Sequence, residues 1–288
     1  MHPQYILTLS CPDQRGIVHS VSGFLALHGC NILDSAQFGD AQSALFFMRV
    51  HFSSDVQGAS LAELQRGFAQ LALPWKMDWQ LHDAHHKPKV LLMVSKIGHC
   101  LNDLLFRVKT GLLAVEIHAI VSNHTDFAPL AASYDIPFYH LPLAAGATAE
   151  DKQRQEQQLL DIIRTQNIEL VVLARYMQIL SPSLCLALQG KAINIHHSFL
   201  PSFKGAKPYY QAHHRGVKLI GATAHFVTGD LDEGPIIEQD VQRVDHAMSP
   251  ETLTAMGRDV ECVVLARAVK WFVEHRILLD GHKTVVFK

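Results

Sequence analysis

Cysteine is scarce: five residues among 288 (Cys11, Cys30, Cys100, Cys185, Cys262), odd in number, scattered and without a CxxC pair. That excludes a disulfide framework and a zinc ribbon and fits a reducing compartment. Charge of one sign is also missing. The chain has 25 Lys and Arg against 27 Asp and Glu, net −2, so no field forms for nucleic acid or an anionic membrane. No stretch approaches the ~20 apolar residues of a membrane helix. The opening MHPQYILTLSCPD lacks the basic region and continuous apolar core of a secretory signal, and Asp13 and Arg15 interrupt it. Internal repeats and low-complexity segments are absent. Together these absences predict a cytoplasmic globular protein with small, neutral-to-acidic partners, and with neither nucleic acid nor membrane among them.

What is present begins with length. A chain of 288 residues predicts two domains, each able to bury its own core. Histidine is abundant, 19 residues including the pairs at 85–86, 196–197 and 213–214, most of them expected on the surface or in loops. Over the first eighty residues the periodicity predicts strands at 5–10, 31–38, 44–52 and 75–81 and helices at 16–28 and 61–73. The order βαββαβ is a split-βαβ arrangement with two helices on one face of a four-stranded antiparallel sheet. The polar, proline-containing HDAHHKPK at 82–89 reads as a linker. The domains are therefore set at 1–84 and 85–288.

The phrase CPDQRGIVHSVSGFLALHGCNILDSAQ resembles the amino-acid-sensing ACT domain, with its D-x-x-G-[IL] loop and helix and its closing G-x-N-[IV], over residues 1 to about 82. The resemblance implies a regulatory domain with Asp13, Gly16 and Asn31 as effector-binding candidates and a homo-oligomer, since such sheets pair across chains. A plainer reading stands beside it: Gly16 and Gly29 serve as helix entry and helix C-cap for backbone reasons.

From residue 89 the rhythm changes. Continuous apolar runs at 90–95, 114–121, 136–141 and 169–174 alternate with helical spacing at 101–110 and 149–166, which predicts a doubly wound α/β domain with a mainly parallel sheet covered on both faces. Ligands of such sheets bind beyond the carboxyl ends of the strands, here the loops after residues 95, 121, 174 and 195. Residues 218–241 read as two antiparallel strands and 250–275 as a long closing helix.

Two segments carry chemistry. In AINIHHSFLPSFKGAKP, 192–208, strand spacing turns Asn194 and His196 to one side and the isoleucines to the other. In GATAHFVTGDLDEGPII, 221–237, Asp230, Asp232 and Glu233 fall in a glycine- and proline-bounded turn. An amide, an imidazole and a carboxylate can transfer an acyl unit without a covalent intermediate. Alone, N-x-H is compatible with a structural role, and D-x-D-x-G with a hairpin turn or a partial calcium loop.

Their joint order is more specific. Residues 90–280 resemble the family of formyltetrahydrofolate-using formyltransferases and hydrolases, with its N-I-H-x-S-[LF]-L-P and H-x-[TV]-x-x-x-[LV]-D-x-G-P signatures. The resemblance implies Asn194, His196 and Asp232 as the catalytic set, and Arg175, Met177, Ile179 and Leu180 in the segment that forms the pteridine pocket. Met177 and Ile179 could equally pack in a core. His196 and Asn194 would hydrogen-bond the formyl oxygen as it gains charge. Asp232 would hold or deprotonate the nucleophile and keep His196 correctly protonated. The implied substrate is 10-formyltetrahydrofolate, with no cofactor and no metal.

The acceptor follows from differences within the family. Its ribonucleotide transferases cradle a phosphate on a glycine-rich loop, but here that loop reads SKIGHCLNDLL with Gly98 alone. Gly98, His99 and Cys100 then line the acceptor side. The tRNA transferases carry a further nucleic-acid-binding domain, for which this chain has neither room nor basic excess. Water remains, and an ACT domain fused to this fold points to the family's hydrolases, whose formate would feed purine synthesis and whose effectors would be glycine and methionine. The alternatives are transfer to an amine such as glycinamide ribonucleotide, a thiol mechanism at Cys100, a metal held by His196, His197, His213 and His214, or an amino-acid-binding protein without turnover.

Overall fold

The computed structural model describes residues 2–55, 58–201 and 208–288; the stretch 202–207, part of the quoted segment after His196, lies outside the described residues. The first six elements are β1 (Gln4–Pro12), α1 (Ile17–Leu27), β2 (Cys30–Asp40), β3 (Leu45–Ser54), α2 (Leu61–Trp75) and β4 (Asp78–Asp83). They build an antiparallel sheet in the order β2-β3-β1-β4. Alternation sends Leu7 and Leu9 of β1 and Met48, Val50 and Phe52 of β3 to one face, where they meet Val21, Leu25, Leu64 and Phe68 of the two helices. A reciprocal cap starts α2: Ser60 Oγ accepts from the Glu63 amide, and the Glu63 carboxylate accepts from the Ser60 amide at 2.8 Å. Trp75, expected to open a strand, ends α2 instead, because Lys76 turns the chain at φ +53° and pairing begins at Asp78. Gly16 (φ +97°) and Gly29 (φ +68°) bracket α1 in left-handed backbone, so the plainer reading of both glycines holds whatever else they do.

The following elements are β5 (Lys89–Val94), α3 (His99–Lys109), β6 (Glu116–Ser122), α4 (Ala128–Ser133), β7 (Phe138–His140), α5 (Ala149–Thr165), β8 (Leu170–Leu173), α6 (Pro182–Ala187), β9 (Ala192–His196), α7 (Pro208–His214), β10 (Leu219–Phe226), β11 (Ile236–Arg243) and α8 (Pro250–Val273). Their sheet has the order β11-β10-β9-β8-β5-β6-β7. Strands β9 to β7 are parallel, and β10 and β11 run antiparallel. The chain fills one side of β5 and then returns to place β8 on the other, which makes the β5–β8 border the topological switch point.

Two short strands close the chain, β12 (Ile277–Asp280) and β13 (Lys283–Val286). The compact units are Met1–His86 together with Glu274–Lys288, and Lys87–Val273. Residues 274–288 thus belong with the first unit and not with the second, where the sequence reading placed them. The sheet face turned away from α1 and α2 supplies the reason. Phe47 on that face is buried against Leu278 and Phe287, and the buried Arg49 donates to the Glu274 carbonyl at 3.0 Å and to Asp34 at 3.1 Å. Among the described residues no helix is long and apolar enough to cross a membrane.

Candidate active site

The second unit contains a cavity of about 550 Å³. One wall is the sheet. Asn194 and His196 share a face of β9, and the antiparallel register sets His225 of β10 beside Asn194. The connection 227–235 brings Asp232 back to His196, whose Nδ1 donates to Asp232 Oδ1 at 3.1 Å. His196 Nε2 is buried and has no hydrogen-bond partner among the described residues. The hydrogen bond from His196 holds the Asp232 carboxyl below its ordinary value, against the opposing effect of burial.

Asn194 contacts His225 as well. The Phe226 carbonyl can only accept, so His225 Nδ1 donates to it at 2.8 Å and His225 Nε2 accepts from Asn194 Nδ2 at 3.2 Å. The amide keeps a second N–H, and burial keeps His225 neutral by lowering its pKa. His197 also lines the cavity and is pushed down to about 4, by burial first and then by Arg175 and His196.

The second wall is the segment after β8. Arg175, Met177, Ile179 and Leu180 all line the cavity. Met177 and Ile179 are 57% and 62% exposed, so neither is a core residue. Arg175 is buried in left-handed backbone at φ +66°, its Nε 3.5 Å from Glu261 Oε2.

The third wall comes from α3, α7 and α8. His99 faces the cavity, whereas Gly98 and Cys100 are not among its lining residues. Gly98 packs against Phe127, where a side chain would collide. Cys100 is fully buried, and its hydrogen bond with Cys262, reinforced by burial, raises the thiol pKa far above the ordinary range. A thiolate nucleophile has no support there. The loop after β6 does not reach the cavity either; its Asn123 accepts from Ser95 Oγ at 2.7 Å, and Ser95 Oγ accepts from the Met177 amide at 2.9 Å, which steadies the second wall.

Sequence reasoning missed Glu261, Tyr209 and His225 and set aside His197 and Asp230, all of which line the cavity. Glu261 is 1% exposed and accepts from His99 Nε2 and from the Tyr209 hydroxyl, each at 2.7 Å. Burial alone would raise its pKa, but His99, Arg175 and Tyr209 outweigh that and hold it low. The only sequence signal was His225, which sits inside the quoted signature.

In the first unit, Asp13 and Gly16 follow β1 at the end where Pro12 pairs with Leu45, whereas Asn31 pairs with Ser53 at the other end. Eight residues of strand separate those ends, about 26 Å at ~3.3 Å per residue. A single chain does not gather the three effector candidates.

The family model described as formyl transferase matches residues 88–269, and that of the ACT domain matches residues 4–78. Formyltetrahydrofolate deformylase of Corynebacterium sp. (strain P-1) is 50% identical over 285 residues, 99% of this chain and 98% of the relative. The chain belongs to the formyltetrahydrofolate deformylase family. A second deformylase, from Bacillus subtilis (strain 168), is 46% identical over 98% of this chain and 93% of its own. The crystal structure of the deformylase from Burkholderia mallei ATCC 23344 superposes with a TM-score of 0.93 at 56% identity, covering 100% of both chains.

Proposed function

We propose that this deformylase-family chain hydrolyses 10-formyltetrahydrofolate to tetrahydrofolate and formate, with Asn194, His196 and Asp232 as its catalytic set. The observation that carries this reading is the Asp232–His196 pair beside Asn194, with His196 Nε2 unpartnered on the cavity wall. The formyl oxygen takes its hydrogen bonds from His196 and from the remaining Asn194 N–H. Because Asp232 only accepts, it fixes the proton of His196 on Nδ1 in the neutral ring and stabilises the imidazolium that can donate from Nε2. Both interactions strengthen as charge develops on oxygen, which is what accelerates the step. The segment 175–180 is the folate wall, and no cofactor enters the chemistry. Incubation with 10-formyltetrahydrofolate and no amine tests the reading: formate and tetrahydrofolate in equal amounts are expected, and consumption only when glycinamide ribonucleotide is added contradicts it.

The first unit is an amino-acid-responsive module of a homo-oligomer. Edge strand β2 exposes Ile32, Leu33 and Phe38, and antiparallel pairing with a second copy would bring Asn31 of one chain towards Asp13 and Gly16 of the other. Glycine and methionine are the effectors to test. Calorimetric binding that disappears in N31A and in dissociated chains supports the site, and no heat from either amino acid removes it. The protein acts in the cytoplasm, where its formate serves purine synthesis.

A further inference from the structure

Two imidazoles on the cavity wall are built alike. His196 gives one ring nitrogen to Asp232 and has the other, buried, without a partner. His99 gives Nε2 to Glu261 at 2.7 Å, and its Nδ1 is likewise buried without a partner among the described residues. Since a carboxylate only accepts, the neutral His99 carries its proton on Nε2 and presents a lone pair at Nδ1. The other two imidazoles of the wall are unsuited to proton transfer. His225 uses both nitrogens, and His197, at about 4, is too weak a base near neutral pH.

The backing of His99 is a fixed anion. Glu261 projects from α8, and its two oxygens are engaged by His99 and Tyr209, with Arg175 beside them. Besides these, the thiols of Cys100 and Cys262 face the pair. Glu261 is therefore the anionic group against His99, and a carboxylate that holds one ring nitrogen fixes the tautomer and the orientation of the ring. His99 opens α3 just after β5, His196 ends β9, and β8 lies between those strands. Both residues line the same cavity of about 550 Å³.

We infer that His99, oriented by Glu261, is the general base that takes a proton from the water attacking the formyl carbon. This rests on the hydrolase reading and assigns within it the task that an amine acceptor makes unnecessary, since an amine is nucleophilic at neutral pH and water is not. The water oxygen bonds to the formyl carbon while one of its protons passes to His99 Nδ1. The carbonyl electron pair moves onto oxygen, held by Asn194 and His196. Collapse re-forms the carbonyl and breaks the carbon–N10 bond; the electron pair stays on nitrogen, which takes up the proton that His99 carries. The formic acid loses its proton to solvent. One water and one N-formyl group thus yield an N–H, a formate ion and a proton.

The test compares wild type, H99Q and E261Q on 10-formyltetrahydrofolate, with and without hydroxylamine, a nucleophile that needs no base. In H99Q, kcat for formate should fall about 10²-fold with KM unchanged, and hydroxylamine should restore folate consumption as formohydroxamate. E261Q, which keeps an acceptor oxygen for His99, loses the charge and turns an amide N–H towards the Tyr209 hydroxyl, should fall about tenfold. Rescue also shows that the variant is folded. Wild-type formate release by H99Q overturns the assignment. So does a loss that hydroxylamine leaves unchanged, which marks His99 as structural. A wild-type chain that releases no formate overturns the hydrolase reading, and the base with it.

Discussion

Asp232 sits in left-handed backbone at φ +58°, a conformation that aspartate and asparagine accept more readily than most side chains. It holds that turn while its carboxylate receives His196 Nδ1. D232N therefore keeps the backbone and removes the charge. We expect kcat to fall by about 10²-fold or more with folate affinity retained, as for loss of a group aimed at developing charge. Steady-state kinetics with a separate folate-binding measurement checks this, and unchanged turnover removes Asp232 from the catalytic set. N194A removes the donor proposed for the oxyanion and should cost a similar ~10²-fold in kcat. N194A should also leave His225 Nε2 without its partner.

At the scale of elements, α5 anchors the wall at 175–180 that we propose for the folate. Gln155 donates to the Leu141 carbonyl at 2.6 Å and to Gln178 at 3.1 Å. Glu156 accepts from the Ser181 amide at 2.8 Å and from its hydroxyl. Ser181 in turn caps α6 by accepting from the Leu184 amide at 3.2 Å. S181A should cost about 1 kcal/mol of stability, read from the denaturant midpoint. E156Q should raise KM for the folate several-fold with kcat nearly unchanged, because it loosens the wall and not the reacting groups. The helix itself was legible from its apolar spacing. Gln155 and Glu156 were not, since a polar residue on an amphipathic helix reads as its solvent face until a tertiary partner is known. The same holds for Glu261 on α8. The β12–β13 hairpin was missed because four-residue strands give too short a pattern for period-two alternation to register. By contrast, N-x-H on an alternating strand was legible because backbone geometry fixes where such side chains point, whereas Asp232 was picked out of its turn only by the family resemblance.

At the scale of the whole molecule, buried histidines set the response to acid. His82 and His275 stack in the first unit with ring centroids 3.6 Å apart. Burial first, then His82, Arg49 and His86, push His275 down to about 3. Its folded pKa lies below the unfolded value of about 6.5, so as pH falls below 6.5 the unfolded chain binds a proton that the folded chain refuses. Stability is full above about pH 6.5 and should decline steadily towards pH 4, with His197 adding to the slope until its own value of about 4. H275N, which tolerates the left-handed backbone at φ +50°, should flatten that decline in pH-resolved unfolding curves, and an unaltered slope would remove this cause. The account as a whole stands on the acceptor being water. Formate release from 10-formyltetrahydrofolate in amine-free buffer, by wild type and D232N side by side, tests it most directly. Equimolar formate and tetrahydrofolate from wild type, with about 10²-fold less from D232N, is the predicted result; turnover that requires an added amine, or that D232N leaves untouched, would contradict it.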